Sequence, residues 1–488
     1  MLFNSYEFFI FFPLVVSLYF ALPGRYRSVL LLAASYFFYM WWKVEYAALL
    51  VISTLVDYFA ALRMARVSSR GGRRACLAAS LLVNLGLLFT FKYYGLFRQT
   101  AAALAHLTGG SLDLPLLDVL LPVGISFYTF QTLSYSIEVY RGTIQPERSL
   151  IQFALYVSFF PQLVAGPIER PGNLLPQLRK TQRFDAVRTA NGLKMIAWGL
   201  FKKVVIADRL ALLVDNVYNA PGEYGGFQHI AATVFFAYQI YCDFSGYSDI
   251  AIGSAMVLGI DLMTNFDRPY ASKSIAEFWR RWHISLSTWF KDYVYIPLGG
   301  NRVPISRLYL NLVIVFAVSG LWHGASWTFV IWGLAHGLYM VVGIATRALR
   351  DSLAEQVGLT RVPRVRKALQ CVTTFVLVCL AWVFFRAANL HDALIVLRGM
   401  LTDFSWVSKL GAILSQTHVA GMPQREFFAS CGLIVVLEAI SYFERRHQMR
   451  AIMATRPLLL RWAFYVTLVL VTINFGVGRE IPFIYFQF

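Results

Sequence analysis

The chain has 488 residues, with 44 Lys and Arg against 26 Asp and Glu, so its formal net charge is +18. Only 14% of the residues are charged and 58% are hydrophobic, whereas soluble domains usually carry about 25% charged residues. This composition excludes a soluble nucleic-acid-binding protein, a disordered tail and a secreted disulfide scaffold. We expect most of the chain to be embedded in a lipid bilayer. We do not expect it to bind nucleic acid.

Long apolar runs follow one another along the sequence. A membrane-spanning helix needs about 20 mainly apolar residues. Runs without charged residues lie at 8–24, 28–42, 75–91, 119–137, 149–168, 224–242, 308–346, 368–385 and 462–478, and more interrupted ones at 44–62, 194–217, 244–262 and 427–443. They predict an all-α polytopic membrane protein with roughly 11–14 membrane-embedded helices, some shorter than a full span, in a single domain over 1–488. Residues 7–22 are expected to be a retained first span rather than a cleaved signal peptide.

Positive charges predict the orientation of these helices, because loops on the cytoplasmic side are rich in Lys and Arg. The arginine groups within 63–74, 361–367 and 445–450 are expected to be cytoplasmic, and both termini to lie on the opposite side. The run 149–168 has positive charge at both ends and contains Pro161, Gly166 and Pro167. It is therefore predicted to be a re-entrant segment, which protein or a water-filled cavity must cover.

The segment Phe278–Arg302 is strongly amphipathic. As one helix ending before Pro297, it would align Arg280, His283, Ser287 and Lys291 in a polar stripe. Two interpretations remain open. It is either a helix at the membrane interface with arginines on lipid head groups, or a cytoplasmic site for an anionic substrate, with Arg280, Arg281 and Lys291 near phosphates.

His323 lies within the apolar run 308–346. Either one very long helix forms there, or the chain bends near Gly320–Gly324, where small residues permit close helix approach. An ionisable side chain at membrane depth suggests a functional site; the alternative is a neutral histidine hydrogen-bonded between helices. His336 would lie on another face, and we expect it to serve in packing or hydrogen bonding.

Two acidic residues, Asp243 and Asp249, lie in the segment 241–253. Their spacing of six does not place them on one helical face, so a catalytic carboxylate pair is weakly supported. We expect them to neutralise arginines or to cap a helix break at Gly246. The five scattered cysteines show no metal-ligand spacing, and we predict neither a disulfide nor a metal site.

Several segments together resemble the membrane-bound O-acyltransferase family, in the bacterial branch that contains alginate O-acetyltransferases and D-alanyl-transfer proteins. They are Ala34–Trp42, Leu121–Tyr128, Phe160–Arg170, Tyr241–Gly253, Phe278–Arg302, Leu321–Ala325 and Pro482–Phe488. The resemblance implies a helical fold with re-entrant segments around a central funnel. It also implies that His323 matches the family's catalytic histidine and that His283 occupies its second active-site position.

The resemblance further implies an activity. The expected enzyme lies in the bacterial inner membrane, takes acetyl from cytoplasmic acetyl-CoA without a bound cofactor, and passes it across the membrane. An extracytoplasmic SGNH or acetyltransferase-like partner would then esterify an exopolysaccharide. Alginate is the leading acceptor, and cellulose and peptidoglycan are alternatives. Two alternatives involve no catalysis by this chain. The protein would be either a channel for the acyl donor or a scaffold for the partner.

Overall fold

The computed structural model describes residues 1–117, 119–447, 455–477 and 481–484, apart from the side chains of 444–447. Arg450 and residues 485–488 of the terminal motif therefore lie outside the described residues. Two compact units are present: Met1–Ile196 with Tyr247–Thr264, and Ala197–Gly246 with Asn265–Phe488. A single domain over 1–488 stays a prediction.

The first unit is built from helices. They are α1 (Tyr6–Ala21), α2 (Gly24–Met40), α3 (Ala47–Arg66), α4 (Arg70–Leu88), α5 (Tyr94–Leu107), α6 (Ile125–Arg141), α7 (Leu150–Ser158), α8 (Phe160–Leu163), α9 (Pro171–Arg179) and most of α10 (Ala186–Leu200). A 3₁₀ turn, Val44–Tyr46, precedes α3, and a π-helical turn, Phe89–Tyr93, joins α4 to α5.

The second unit begins where a π-helical turn, Phe201–Ala207, continues α10. Its helices are α11 (Asp208–Asn219), α12 (Gly226–Leu258, to Gly246), α13 (Ile275–Arg281), α14 (Ile284–Phe290), α15 (Ile305–His323), α16 (Trp327–Ala345), α17 (Arg347–Gln356), α18 (Pro363–Arg386), α19 (Leu390–Thr402), α20 (Trp406–Leu414), α21 (Gln424–His447) and α22 (Leu458–Phe475). Shorter turns are the 3₁₀ turns Pro221–Glu223 and Pro269–Ala271 and the π-helical turn Lys291–Tyr295. Strands β1 (His418–Val419) and β2 (Met422–Pro423) pair antiparallel, with His418 opposite Pro423.

Within the described residues, seven helical segments are long and apolar enough to cross a membrane. They are Val44–Arg66, Arg70–Leu107, Ile305–His323, Trp327–Ala345, Pro363–Arg386, Gln424–Phe443 and Leu458–Phe475, and α1 is a shorter apolar helix. Several other predicted embedded segments form helices of 17 residues or fewer, whereas 224–242 and 244–262 are parts of one continuous helix of 33 residues, α12. The prediction of an all-α polytopic membrane protein is confirmed.

The run 149–168 folds into two short helices, α7 and α8, which meet at Phe159. A helix of nine residues rises only about 14 Å, too little to cross a bilayer of about 30 Å. All residues from Phe153 to Glu169 are buried. The segment thus has the broken backbone and the covering by protein that its sequence predicted.

A buried carboxylate connects three helices of the first unit. Asp57 of α3 accepts hydrogen bonds at Oδ1 from Ser80 Oγ of α4 and, at 2.7 Å, from Ser136 Oγ of α6. Asn84 Nδ2 of α4 donates to Asp57 Oδ2 at 2.7 Å, and Ser53 Oγ donates to Asn84 Oδ1 at 2.6 Å. Buried polar groups are stable when such partners satisfy them, so this network fixes the packing of α3, α4 and α6.

Replacement of Asp57 by alanine is expected to lower the free energy of unfolding by about 3 kcal/mol, because three buried donors lose their acceptor. Asp57→Asn is expected to cost less than about 1 kcal/mol, since its amide group can donate to the serine hydroxyls and its oxygen can accept from Asn84. Thermal unfolding in detergent measures both variants. Equal destabilisation by the two substitutions would contradict this role of the network.

Helices α15 and α16 form a hairpin whose close approach depends on glycines. A Cβ atom at Gly320 would collide with the carbonyl oxygen of Phe329 and lie 3.2 Å from the Cα of Gly333. A Cβ atom at Gly333 would collide with the carbonyl oxygen of Phe316. A Cβ atom at Gly324 would collide with the Phe329 ring of α16 at the turn, so the close approach predicted at Gly320 and Gly324 is confirmed and also involves Gly333.

We expect Gly320→Ala to destabilise the protein by about 1–3 kcal/mol, the usual cost of overpacking. Gly343→Ala is the matched control, because Gly343 lies in α16 and a Cβ atom added there would meet no described atom within 4 Å. That substitution should leave stability unchanged or raise it slightly, since alanine favours helix more than glycine does. Melting temperatures in detergent compare the two, and an unchanged value for Gly320→Ala would refute the close contact.

Candidate active site

His323 is the last residue of α15, and Gly324 after it is extended. Helix α16 begins at Trp327, with Ser326 Oγ accepting a hydrogen bond from the Thr328 backbone N–H. The run 308–346 therefore bends, which was one of the two predicted outcomes. His323 is only 2% exposed, and the ring centroids of Trp322 and Trp332 each lie 4.8 Å from its own.

His283 interrupts the segment that the sequence predicted to be one helix. Helix α13 ends at Arg281, and His283 adopts a left-handed backbone conformation with φ 44° before α14 begins. The predicted polar stripe is consequently wrong: His283 is completely buried, whereas Arg280 and Lys291 are exposed. A left-handed residue without the freedom of glycine is strained and needs surrounding structure to hold it, and such strain is often found at functional sites.

The two histidines meet in the interior of the second unit. Their ring centroids are 6.4 Å apart. The ring centroid of Trp322 lies 5.8 Å from that of His283. Phe244 packs edge-on against His283 at 4.6 Å, and Phe385 packs against His323 at 5.5 Å. An aromatic enclosure thus holds two imidazoles at a separation that lets both rings reach one reacting group between them.

Asn265 determines the tautomer of His283. The Asn265 side-chain oxygen Oδ1 accepts a hydrogen bond from the Ser285 backbone N–H at 3.2 Å, so the oxygen and not the amide nitrogen must face this point. His283 Nδ1 lies 3.1 Å from the same oxygen. Nδ1 therefore carries the proton, and the lone pair of the neutral ring is on Nε2. The Asn265 carbonyl oxygen also accepts from the Ile284 N–H at 2.9 Å, which fixes the backbone around His283.

Burial lowers the pKa of His283 well below its usual range. Removing the imidazole from water disfavours its charged form. The ring is consequently neutral at physiological pH, with an acceptor rather than a donor at Nε2. This electronic state suits a group that accepts a proton or a hydrogen bond.

The three predicted phosphate-binding residues differ in their surroundings. Arg281 Nη2 forms an ion pair with Glu277 Oε1 at 2.6 Å, with both side chains largely buried. Arg280 is exposed, and Lys291 Nζ lies 3.6 Å from Asp292 in an exposed pair. The structure thus brings His283 and His323 together, while Arg280 and Lys291 remain accessible to solutes and Arg281 is already neutralised.

The predictions for segment 241–253 require correction. Helix α12 runs through Gly246 without a break, and a Cβ atom at Gly246 would lie 2.7 Å from the carbonyl oxygen of Gly199. Glycine is needed there for close helix packing and not for a cap. Asp243 pairs with a lysine, Lys203, at 2.8 Å, and not with an arginine.

His336 has the packing role that its position predicted. It is completely buried, and its Nδ1 accepts a hydrogen bond from Trp279 Nε1 at 3.3 Å. Across the described ranges, no three His, Cys, Asp or Glu side chains are grouped as ligands for a metal ion.

Asn265 is the site residue that the sequence analysis missed. It lies 18 residues before His283, outside any helical or strand periodicity, in the irregular segment between α12 and α13. Its role arises because the chain folds back and brings Asn265 next to His283. No local sequence pattern therefore predicts it.

Comparisons with known proteins identify the family of the chain. The model of the MBOAT, membrane-bound O-acyltransferase family, matches residues 146–385, which include both histidines. A probable alginate O-acetylase AlgI of Azotobacter vinelandii is 41% identical over 410 residues, covering 83% of this chain and 79% of that protein. The Pseudomonas aeruginosa protein of the same description is 42% identical over 410 residues, covering 83% of this chain and 76% of that protein.

A peptidoglycan O-acetyltransferase of Helicobacter pylori is 38% identical over 441 residues, covering 82% of this chain and 80% of that protein. High identity over most of each chain, the match to the family model and the apolar helices all lead to one conclusion. The chain belongs to the membrane-bound O-acyltransferase family and is a multi-pass O-acyltransferase of the bacterial inner membrane.

Proposed function

We propose that the protein takes an acetyl group from cytoplasmic acetyl-CoA and passes it across the inner membrane for O-acetylation of alginate. The observation that carries this proposal is the enclosed pair of His283 and His323, whose centroids are 6.4 Å apart. Imidazoles in an aromatic enclosure provide general-base chemistry, and the enclosure excludes bulk water, as acyl transfer from a thioester requires.

His323 is the general base of the proposed reaction. It removes the proton from the attacking hydroxyl as the oxygen forms a bond to the thioester carbonyl carbon. The C–S bond then breaks, and the CoA sulfur leaves with the proton that His323 returns. General-base catalysis of this kind contributes about 10²–10⁴ in rate.

His283 orients the proton transfer in this scheme. Stabilising an oxyanion requires a hydrogen-bond donor, and the only N–H of neutral His283 already points to Asn265. Its Nε2 lone pair is instead suited to accept a hydrogen bond. The donor is either a reacting group that lies between the two rings or the N–H of His323. This arrangement favours a role in holding the tautomer of His323 over a role as an oxyanion donor.

The exposed cations Arg280 and Lys291 are the proposed contacts for the CoA phosphates, since charge-assisted hydrogen bonds to phosphate are strong. Arg281 contributes less to this attraction, because Glu277 neutralises it. Charge reversal at Arg280 and Lys291 should therefore raise the KM for acetyl-CoA more than charge reversal at Arg281 does.

Alginate is the proposed acceptor because the relatives described as probable alginate O-acetylases are 41–42% identical to the chain. An extracytoplasmic SGNH or acetyltransferase-like protein would complete the transfer to the polymer. Peptidoglycan is the second candidate, supported by the Helicobacter pylori relative at 38% identity.

The test uses the purified protein in proteoliposomes with labelled acetyl-CoA on the cytoplasmic face. CoA release is measured with and without the extracytoplasmic partner, for the native protein and for His323→Ala. Alginate and peptidoglycan fragments are supplied in parallel as acceptors. We expect His323-dependent release of CoA and label on alginate.

Other outcomes distinguish the alternatives. Label on peptidoglycan alone would replace the proposed acceptor with the second candidate. Passage of intact acetyl-CoA without CoA release would indicate a channel. Acetylation that needs the protein but is unchanged in His323→Ala would indicate a scaffold without chemistry of its own.

A further inference from the structure

Three charged side chains are buried together in the second unit. Lys203 Nζ, in the π-helical turn before α11, lies 2.7 Å from Asp208 Oδ1 and 2.8 Å from Asp243 Oδ1. The side chains of Lys203, Asp208 and Asp243 are 7%, 3% and 4% exposed. A π-helical turn within an α-helix is rare and is often found at a functional site.

The C-terminal segment 481–484 completes the hydrogen bonding of this cluster. Lys203 Nζ donates to the carbonyl oxygen of Ile481 at 3.1 Å, in addition to its ion pairs with Asp208 and Asp243. At the other end of the segment, the Ile484 backbone N–H donates to Asp243 Oδ2 at 2.7 Å. Both ends of the four-residue segment are thus held by one buried ion pair.

Burying charges generally costs more than apolar packing of the same volume, so stability alone is a poor reason for such a cluster. Buried polar groups are known in some proteins to specify one arrangement of the chain. Here the cluster borders a cleft of about 330 Å³ that Ile481, Pro482 and Ile484 also line. The segment is therefore held at the edge of a cleft by directional polar contacts.

The same segment reaches the candidate active site through aromatic contacts. Phe483 is buried between the two anchoring points, and its ring centroid lies 5.8 Å from that of Phe244. Phe244 is the residue after Asp243 in α12 and packs edge-on against His283 at 4.6 Å. One aromatic side chain thus separates the C-terminal segment from the imidazole.

We propose that Lys203 and Asp243 form a clasp that positions the C-terminal segment, and that Phe483 and Phe244 transmit this position to His283. Asp243, Lys203 and Phe483 are positioning residues in this proposal, and none needs to touch substrate. Its second half rests on the proposed function of His283, whereas its first half, the clasp itself, does not.

Asp243→Asn and Asp208→Asn are a matched pair of variants. Both carboxylates face Lys203, but only Asp243 also accepts the Ile484 N–H. In Asp243→Asn the amide nitrogen must face either Lys203 or that N–H, so one contact is always lost. In Asp208→Asn the side-chain oxygen can still face Lys203.

The first measurement is hydrogen exchange of the C-terminal peptide in the full-length protein. We expect Asp243→Asn to speed exchange of this peptide at least tenfold and Asp208→Asn to change it less than twofold. Ile484→Pro is the second variant: it removes the N–H donor while leaving all three charges in place, so it tests the clasp even where Asp243→Asn fails to fold. Unchanged exchange in Asp243→Asn, or in Ile484→Pro at the amides that remain, would overturn the clasp.

The second measurement is acyl-transfer kinetics. We expect Asp243→Asn and Phe483→Ala to lower kcat about tenfold with an unchanged KM for the acyl donor, and Phe483→Leu to restore most of the rate. A purely structural role would instead lower the amount of folded enzyme and leave kcat per folded molecule unchanged. Faster exchange with normal kcat would overturn the coupling to His283. A normal rate in His283→Ala would refute the proposed role of His283 while leaving the exchange result standing.

Discussion

Replacement of His323 by alanine is expected to lower kcat for acyl transfer by about 10²–10⁴, the usual contribution of a positioned general base. His323 ends α15 between Trp322 and Trp332, which hold its ring in place. Bulk water has little access to a side chain that is 2% exposed, so it cannot readily replace the lost base. The measurement is CoA release from labelled acetyl-CoA by the purified variant.

His336→Gln is the control for this prediction. His336 is buried in the same unit, but it serves as an acceptor for Trp279 Nε1, and glutamine can provide a carbonyl oxygen in its place. We expect this variant to retain a rate per folded molecule within a few-fold of the native value. Loss of activity in both variants in parallel with loss of folded protein would contradict the catalytic assignment of His323.

Replacement of Asn265 by aspartate is expected to shift the pH dependence of the reaction. A carboxylate beside the Nδ1–H of His283 stabilises the imidazolium and raises its pKa, by about 1–3 units for a neighbouring opposite charge. Protonated His283 donates at Nε2 and no longer accepts. Activity should therefore fall at low pH and recover as the pH rises, which moves the acidic limb of the profile upward by a similar amount.

The pH profile of kcat/KM between about pH 5 and 9 checks this expectation, because it reports groups of the free enzyme. Ser285→Ala is the matched control: it removes a hydroxyl that donates to the same Asn265 oxygen at 2.9 Å but introduces no charge. Its profile should keep the native shape at a somewhat lower rate. An unshifted profile in Asn265→Asp would show that the protonation state of His283 does not limit catalysis.

Local patterns predicted the helices well and their interruptions less well. The apolar runs allowed for the bend near His323 and indicated the broken segment around Phe159, because length and composition set these limits. The segment Phe278–Arg302 was assigned to one helix because its periodicity is helical on both sides of His283. The break there depends on hydrogen bonds that the oxygens of Asn265, 18 residues before His283, accept from the chain around His283.

The clasp shows the same division between local and distant information. The acids of segment 241–253 were recognisable as unusual, but their partners were not, since Lys203 and the C-terminal segment are far from Asp243 along the chain. Helical continuity at Gly246 is likewise decided by a neighbouring backbone, that of Gly199, and not by the residues around it.

The sequence by itself determined that the chain is an all-helical membrane protein and, through its motifs, that it resembles one acyltransferase family with His283 and His323 as candidates. Hydropathy and motif identity are local properties, so they can be read along the chain. The tertiary structure alone decided the tautomer of His283 and the anchoring of the C-terminal segment. These depend on distances between side chains from separate segments, which only folding establishes.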